Sequence, residues 1–218
     1  MASVTINKHY EVIERKVRLC GLTEIMFDRY AGDNQTKLEA WQKLYFQPGD
    51  SRVIGLPATN IMSFLSAHNT NSAPKRLRDK RKFKDIANAC LSFVMVTPPF
   101  IPFLRDGAPI QFGVLTNDVD ALSGVYVHRS VARLDKGIPN PKERPVLPLP
   151  WSLEFSLRIL PNKEIQEQEI LNLFEDGGRA LGLVRSGAST GSSTWTPGVD
   201  HISAAWHGRR GVVCPGSA

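Results

Sequence analysis

The chain has 218 residues, 42% of them hydrophobic and 22% charged. That balance excludes a disordered or fibrous protein and is enough to bury a real core. Its net charge of +6 points to a polyanionic partner. The apolar run over residues 91–103 is broken by Pro98, Pro99 and Pro102, far short of the roughly 20 residues of a membrane helix. Residues 1–10 lack an apolar signal core, so a cytoplasmic protein with no membrane partner is expected.

Residues 10–22 alternate, with Ile13, Arg15, Val17 and Leu19 on one parity and Val12, Glu14, Lys16 and Arg18 on the other. The first set is the more apolar, which predicts a strand with one buried face, ended by Gly21. Ala31-Gly32-Asp33-Asn34 marks a turn. Over residues 37–46, Leu38, Trp41, Leu44 and Tyr45 recur at helical spacing before Pro48-Gly49-Asp50, predicting a short amphipathic helix. Val53-Ile54-Gly55-Leu56 reads as a brief buried strand. Pro57 suits the first turn of a helix with Ile61, Phe64, Leu65 and His68 on one face.

The polar stretch 69–74 opens a basic run, then a helix over about residues 82–89 with Phe83, Ile86, Ala87 and Cys90 inward. Residues 91–96 read as an apolar strand, and the three prolines that follow bar its continuation as a central strand. Residues 104–150 are rich in turn signals and in Pro139, Pro141, Pro145, Pro148 and Pro150. Short strands are expected at 111–115 and 124–131, in an extended insertion or hairpin rather than a separate domain. Trp151, Leu153, Phe155, Leu157 and Ile159 then alternate strictly with Ser152, Glu154, Ser156 and Arg158, the pattern of a strand with one core and one wet face. Pro161-Asn162 caps a helix over about 163–176, with Ile165, Ile170, Leu173 and Phe174 inward and Gly177-Gly178 at its end. From Val184 the chain is rich in Gly, Ser and Thr with isolated Trp195 and Trp206, so residues 184–218 are expected to form an irregular tail.

The chemistry concentrates in one place. Lys75, Arg76, Arg78, Lys80, Arg81, Lys82 and Lys84 stand within ten residues against the single acid Asp79, which accounts for the whole charge excess of the chain. Seven such cations repel one another, and phosphates are natural counter-charges because each one neutralised releases condensed counterions. A solvated charged loop is the plainer alternative. A sparser basic stretch holds Arg129, Arg133, Lys136, Lys142 and Arg144 beside Tyr126 and His128. Tyr126 fits either stacking on a base or contacts within a hairpin. His9, His68, His128, His201 and His207 lack HxxxH or HExxH spacing, so no metal site is expected. Cys20, Cys90 and Cys214 are an odd set without CxxC spacing, which fits reduced thiols. The glycines after the last helix do not follow a strand, as a dinucleotide or phosphate loop requires, and no cofactor is expected. His128 is the best candidate for general acid or base, with no placed partner.

Three segments carry a resemblance. They are Ile54-Gly55-Leu56-Pro57-Ala58-Thr59-Asn60-Ile61 where the first helix begins, Pro148-Leu149-Pro150-Trp151 with its strand, and Gly177-Gly178-Arg179-Ala180-Leu181-Gly182-Leu183. Together they resemble the RAMP superfamily of CRISPR-associated RNA-binding proteins, and more closely a group of phage and prophage proteins of that plan. The resemblance spans about residues 10–183. It implies an α+β fold with a ferredoxin-like (modified RRM) core in a 1–183 domain and a long insertion at about 104–147. It also implies a non-catalytic protein that binds RNA or single-stranded DNA along the backbone, as a homo-oligomer assembled on the strand. Residues 75–84 and the insertion would then grip the strand, with close backbone approach at Gly178, Arg179 and Gly182. A metal-independent endoribonuclease of the same superfamily using His128, and a phage structural or host-interaction protein, are the alternatives. The superfamily pattern closes with a Gly-x-Phe-x-Val strand that residues from Val184 do not supply. Codons for residues 184–195 exist whose neighbouring frame reads Gly-Pro-Glu-Arg-Arg-Val-Tyr-Gly-Gln-Phe-His-Val, and the nucleotide sequence tests for a change of frame there.

Overall fold

The computed structural model describes residues 11–29, 31–32, 36–66, 83–133, 139–180 and 202–206. In chain order the first elements are β1 (Ile13–Gly21), β2 (Ile25–Met26), a 3-10 turn (Trp41–Lys43), β3 (Phe46–Gln47), β4 (Asp50–Pro57) and α1 (Ala58–Ser66). Then come α2 (Phe83–Phe93), β5 (Val94–Thr97), β6 (Phe100–Arg105), β7 (Ala108–Pro109), β8 (Leu115–Thr116) and β9 (Val119–Asp120). The last are β10 (Tyr126–Arg133), β11 (Pro139–Leu147), β12 (Ser152–Ile159), α3 (Glu167–Ala180) and β13 (Ile202–Trp206). The strands form two antiparallel sheets. The larger runs β13-β1-β12-β6-β4-β3, with β5 also on β12 and β7 on β6; the smaller runs β2-β11-β10-β9-β8. Three helices and two antiparallel sheets among the described residues make this an α+β protein. No helix among the described residues is long and apolar enough to cross a membrane.

Alternation sets the core. β1 and β12 pair from Ile13↔Ile159 to Cys20↔Ser152, so the apolar parities fall on the same face. Val17, Leu19, Leu153, Phe155, Leu157 and Ile159 are buried there, each contributing about 1.5–3 kcal/mol. The helices cover that face: Phe64 of α1 stacks on Phe174 of α3 at 5.9 Å, and Phe174 meets Phe155 at 6.0 Å. On the other parity Glu14, Lys16, Glu154 and Arg158 are exposed and Arg18 and Ser156 half-buried, whereas Cys20 and Ser152 at the end of the pairing are buried. A second aromatic group joins the two sheets. Phe103 of β6 meets Phe27, just past β2, at 5.8 Å and Trp151 at 5.4 Å, both edge to face. The Trp151 indole lies where a Cβ on residue 21 would stand, and its Nε1 donates to the Thr23 carbonyl at 3.0 Å. Only glycine fits at position 21.

Several expected elements differ. In place of a helix over 37–46 there is a three-residue 3-10 turn, followed by β3. The four apolar residues do not share a face, because Leu44 is buried while Trp41 is 43% exposed. Lys43 instead reaches away, donating to the Glu143 carbonyl at 2.5 Å with Asp28 at 3.5 Å. Residues 91–93 end α2, and β5 begins only at Val94. The prolines at 98, 99 and 102 do not bar a central strand, since β6 contains Pro102 and lies between β12 and β4. The ladder on β12 jumps from Ser156↔Thr97 to Leu153↔Phe103, and all three prolines fall in that gap, where no strand amide is needed.

Residues 139–147, which read as irregular, form β11 along the whole of β10, from Val146↔Tyr126 to Pro139↔Arg133. Pro139, Pro141 and Pro145 share one parity. The carbonyls of that parity face away from β10: Pro145 accepts from the Phe27 amide at 2.9 Å and Glu143 from Lys43. The prolines therefore cost the β10 ladder nothing and guard the opposite edge. Asn162 caps a turn rather than α3, accepting from Glu164 and Ile165. The helix starts at Glu167, where the Glu169 carboxylate accepts from the Gln166 amide at 2.9 Å. It runs on through Gly177 and Gly178 to Ala180; the buried face of Ile170, Leu173 and Phe174 outweighs the roughly 1 kcal/mol each glycine costs. The tail is not wholly irregular, because β13 pairs with Val17–Gly21 of β1. Backbone complementarity to an edge is enough for such a strand. Cys20 is buried and disulfide-bonded, which corrects the expectation of a reduced thiol there.

The turn-rich insertion is organised by one buried carboxylate. Asp120, 1% exposed, accepts from the Gly113 amide at 3.0 Å, from the Ser123 amide at 2.8 Å and from the Ser123 hydroxyl. Burial pushes its pKa up, but the bonds from Ser123, Gly113 and Val114 outweigh that and hold it below 3.8. A depressed carboxylate adds stability above its unfolded pKa and loses it as pH falls through the folded one, so this contribution fades only in acid below about pH 4. Asp120→Ala leaves the Ser123 and Gly113 donors unsatisfied and is expected to cost about 2–3 kcal/mol in urea unfolding at neutral pH. Asp120→Ala is also expected to remove the acid-side fall in stability attributable to this group.

Candidate nucleic-acid interface

Of the main basic run, the described residues include Lys84, exposed in the first turn of α2. Lys75, Arg76, Arg78, Lys80, Arg81 and Lys82 lie outside the described residues. In the chain the run falls between Ser66, at the end of α1, and the first turn of α2. His68 and Lys136 also lie outside the described residues.

The second basic stretch lies on the β10–β11 hairpin. Pairing puts Tyr126, His128 and Ser130 on one face with Val146, Arg144 and Lys142, and Arg129 on the other face with Glu143. Arg133 is the last residue of β10, opposite Pro139. Two of these cations, Arg129 and Arg144, already have carboxylates. Arg129 donates to Asp118 at 2.5 Å and to Glu143 at 3.2 Å; Asp118 foremost, then Glu143, raises its pKa further. Arg144 donates to Asp28 at 2.9 Å and to the Ser130 hydroxyl at 3.1 Å, and Asp28 is shared with Lys43. Lys142 forms no ion pair with a described residue. The two arginines Arg129 and Arg144 of the hairpin are thus balanced by carboxylates, and Lys142 is not. His128 is exposed opposite Arg144, with no carboxylate or hydroxyl bonded to it among the described residues.

Tyr126 is held by a partner the sequence did not indicate. Its hydroxyl donates to Glu24 at 2.6 Å, and that bond, with burial and the nearby charge, raises its pKa to about 12. A raised phenol pKa adds stability below the unfolded value near 10 and loses it as pH rises through 12. Spectrophotometric titration of the wild type against Tyr126→Phe is expected to assign the phenol near 12, and Glu24→Gln to return it toward 10.

Gly178 and Arg179 are in the last turn of α3, and Gly182 lies outside the described residues. The expected glycine loop is therefore helical at its first two positions. Among the described residues no group of three or more His, Cys, Asp or Glu could hold a metal ion. The sequence reading passed over Lys16 and Arg18, which stand on the wet parity of β1. Alternation was the signal that could have found them. No protein-family model matches the chain, and no curated protein matches it.

Proposed function

We propose that the protein binds the backbone of single-stranded nucleic acid, RNA by preference, without catalysing a reaction on it. One observation carries this reading: all of the excess positive charge lies within residues 75–84, in the connection between two helices, with Lys84 in water. Phosphate contacts supply affinity and orientation without reading sequence. The pairing of Arg129 and Arg144 with carboxylates supports a lesser phosphate role for those two arginines than for residues 75–84.

The topology supports a ferredoxin-like assignment for the core. β1, the α1–α2 pair, β5, β12, α3 and β13 follow β-α-β-β-α-β order, with spatial order β13-β1-β12-β5 and every neighbouring pair antiparallel. Residues 106–147 then stand as an insertion between its second and third strands, and they supply four of the five strands of the smaller sheet. Titrating labelled single-stranded RNA with the full chain over a range of salt tests the function. Binding that weakens with salt and leaves the RNA intact is the expected result. Absence of binding at low salt overturns it in favour of an interaction protein, and cleavage lost in His128→Ala overturns it in favour of an endoribonuclease.

A further inference from the structure

The face of the larger sheet opposite the helices carries a second set of donors. Register aligns Lys16 of β1, Ser156 of β12 and Thr97 of β5 in one row across three strands. In the next rows Arg18 stands opposite Glu154, and Arg158 stands between Glu14 and Met95. Short hydroxyl side chains in one row, flanked by long ones in the rows beside it, leave a trough lined by Lys16, Arg18, Thr97, Pro98, Glu154 and Ser156. With strands about 4.8 Å apart, the three-strand row spans roughly 10 Å. Phe155 points the other way, to Phe174, and the side chains of the row are exposed or half-buried.

The charge of Lys16 in this trough is not balanced by a described carboxylate. Glu154 pairs with Arg18 at 3.4 Å and Glu14 with Arg158 at 4.0 Å, which leaves Lys16 without an ion pair among the described residues. The Ser156 and Thr97 hydroxyls make no hydrogen bond to a described residue. The Lys16 ammonium and the Ser156 and Thr97 hydroxyls therefore line this space unengaged by any described carboxylate, while Arg18 is held by Glu154. Their complement is an anionic oxygen with several lone pairs. None of the exposed side chains on β1, β12 and β5 that frame the trough is aromatic, so the surface suits phosphate oxygens and offers no platform for stacked bases.

We infer that this trough binds the phosphodiester backbone of a single-stranded polynucleotide, with Lys16 as its charge contact and Ser156 and Thr97 as neutral donors. The inference rests on the nucleic-acid reading above and extends it from the basic run of residues 75–84 to the open sheet face. Anisotropy titrations of a labelled oligothymidylate against the full chain test it. Lys16→Gln is expected to weaken binding about three- to tenfold at low salt and to flatten the log–log salt slope by about 0.7, the value of one single-strand contact. Thr97→Val combined with Ser156→Ala is expected to weaken binding a few-fold with the slope unchanged, because no charge is removed. Bound oligothymidylate is also expected to slow acetylation of the Lys16 amine, a readout independent of any variant. The two readings fail differently. A wild type with no affinity for the oligonucleotide overturns the nucleic-acid reading itself. Binding that depends on residues 75–84, while Lys16→Gln moves neither affinity nor slope and Lys16 acetylates at the same rate, overturns the trough alone.

Discussion

Replacing Lys75, Arg76, Arg78, Lys80, Arg81, Lys82 and Lys84 by glutamine is expected to remove most of the protein's affinity for single-stranded RNA and nearly all of its salt dependence. Each single-strand phosphate contact contributes about −0.7 to the slope of log affinity against log salt, so seven contacts give a slope near −5. On that slope the wild type loses roughly a thousandfold in affinity between about 50 and 200 mM salt, whereas the variant is expected to lose about tenfold or less. Losing seven positive charges takes the chain from a net +6 to −1, which also reverses long-range steering and slows association.

A second variant separates charge from geometry. Exchanging Arg76, Arg78 and Arg81 for lysine keeps every charge and loses only the planar fork, so the slope is expected to stand while affinity falls modestly. An unchanged slope in the glutamine variant would falsify the phosphate reading. Three of the remaining cations are already spent on carboxylates. Arg129 sits between Asp118 and Glu143, Arg144 against Asp28, and Arg15 in a two-point bridge to Glu167. A phosphate approaching any of these must displace a carboxylate already at hydrogen-bond distance.

How much of this was readable from the residues depends on how local each cause is. Strict alternation over β12 and the apolar parity of β1 are properties of a few consecutive side chains, and they gave the strands, their buried faces and, in Lys16, Ser156 and Arg158, the wet face. The inward sides of α1 and α2 followed from helical spacing in the same way. The 3-10 turn at Trp41–Lys43 did not, because Lys43 is drawn to a carbonyl 100 residues away. Pro139, Pro141 and Pro145 counted as breakers, yet their shared parity is itself the mark of a strand whose outward amides are dispensable. That inference needs β10 as a partner, and partnership is what a single segment lacks.

The candidate site divides along the same line. Clustered charge at 75–84 is a composition fact and was plain. That the hairpin arginines are already partnered was hidden, since Asp28 and Asp118 are far from Arg144 and Arg129 in the chain and are brought to them only by the fold. The trough on the open face needs register across three strands, and Thr97 reaches its row only because β5 turns along β12 after α2. The hydroxyl of Thr97 carried no signal of its own.

Phe103→Ala is expected to destabilise the protein by about 3–5 kcal/mol, the usual cost of deleting a fully buried phenyl ring. Phe103 is 0% exposed and links the larger sheet, to which it belongs, to the segment just past β2 of the smaller one. Its strand pairs with β12 at Leu153↔Phe103, its ring meets Trp151 and Phe27 edge to face, and the amide of Phe27 is bonded to Pro145 of β11. The methyl group of alanine reaches neither ring, so a cavity opens at the joint between the helix-backed sheet and the hairpin sheet. Against a total of about 5–15 kcal/mol for a domain, that is a large fraction. Urea unfolding at constant slope measures it, with the 60% exposed Leu91 changed to alanine as a surface control expected to move stability by less than about 0.5 kcal/mol. A cost for Phe103→Ala below about 1 kcal/mol, within the range of ordinary surface changes, would mean that the two sheets are not locked through this ring. The hairpin arm would then move independently of the face that carries Lys16.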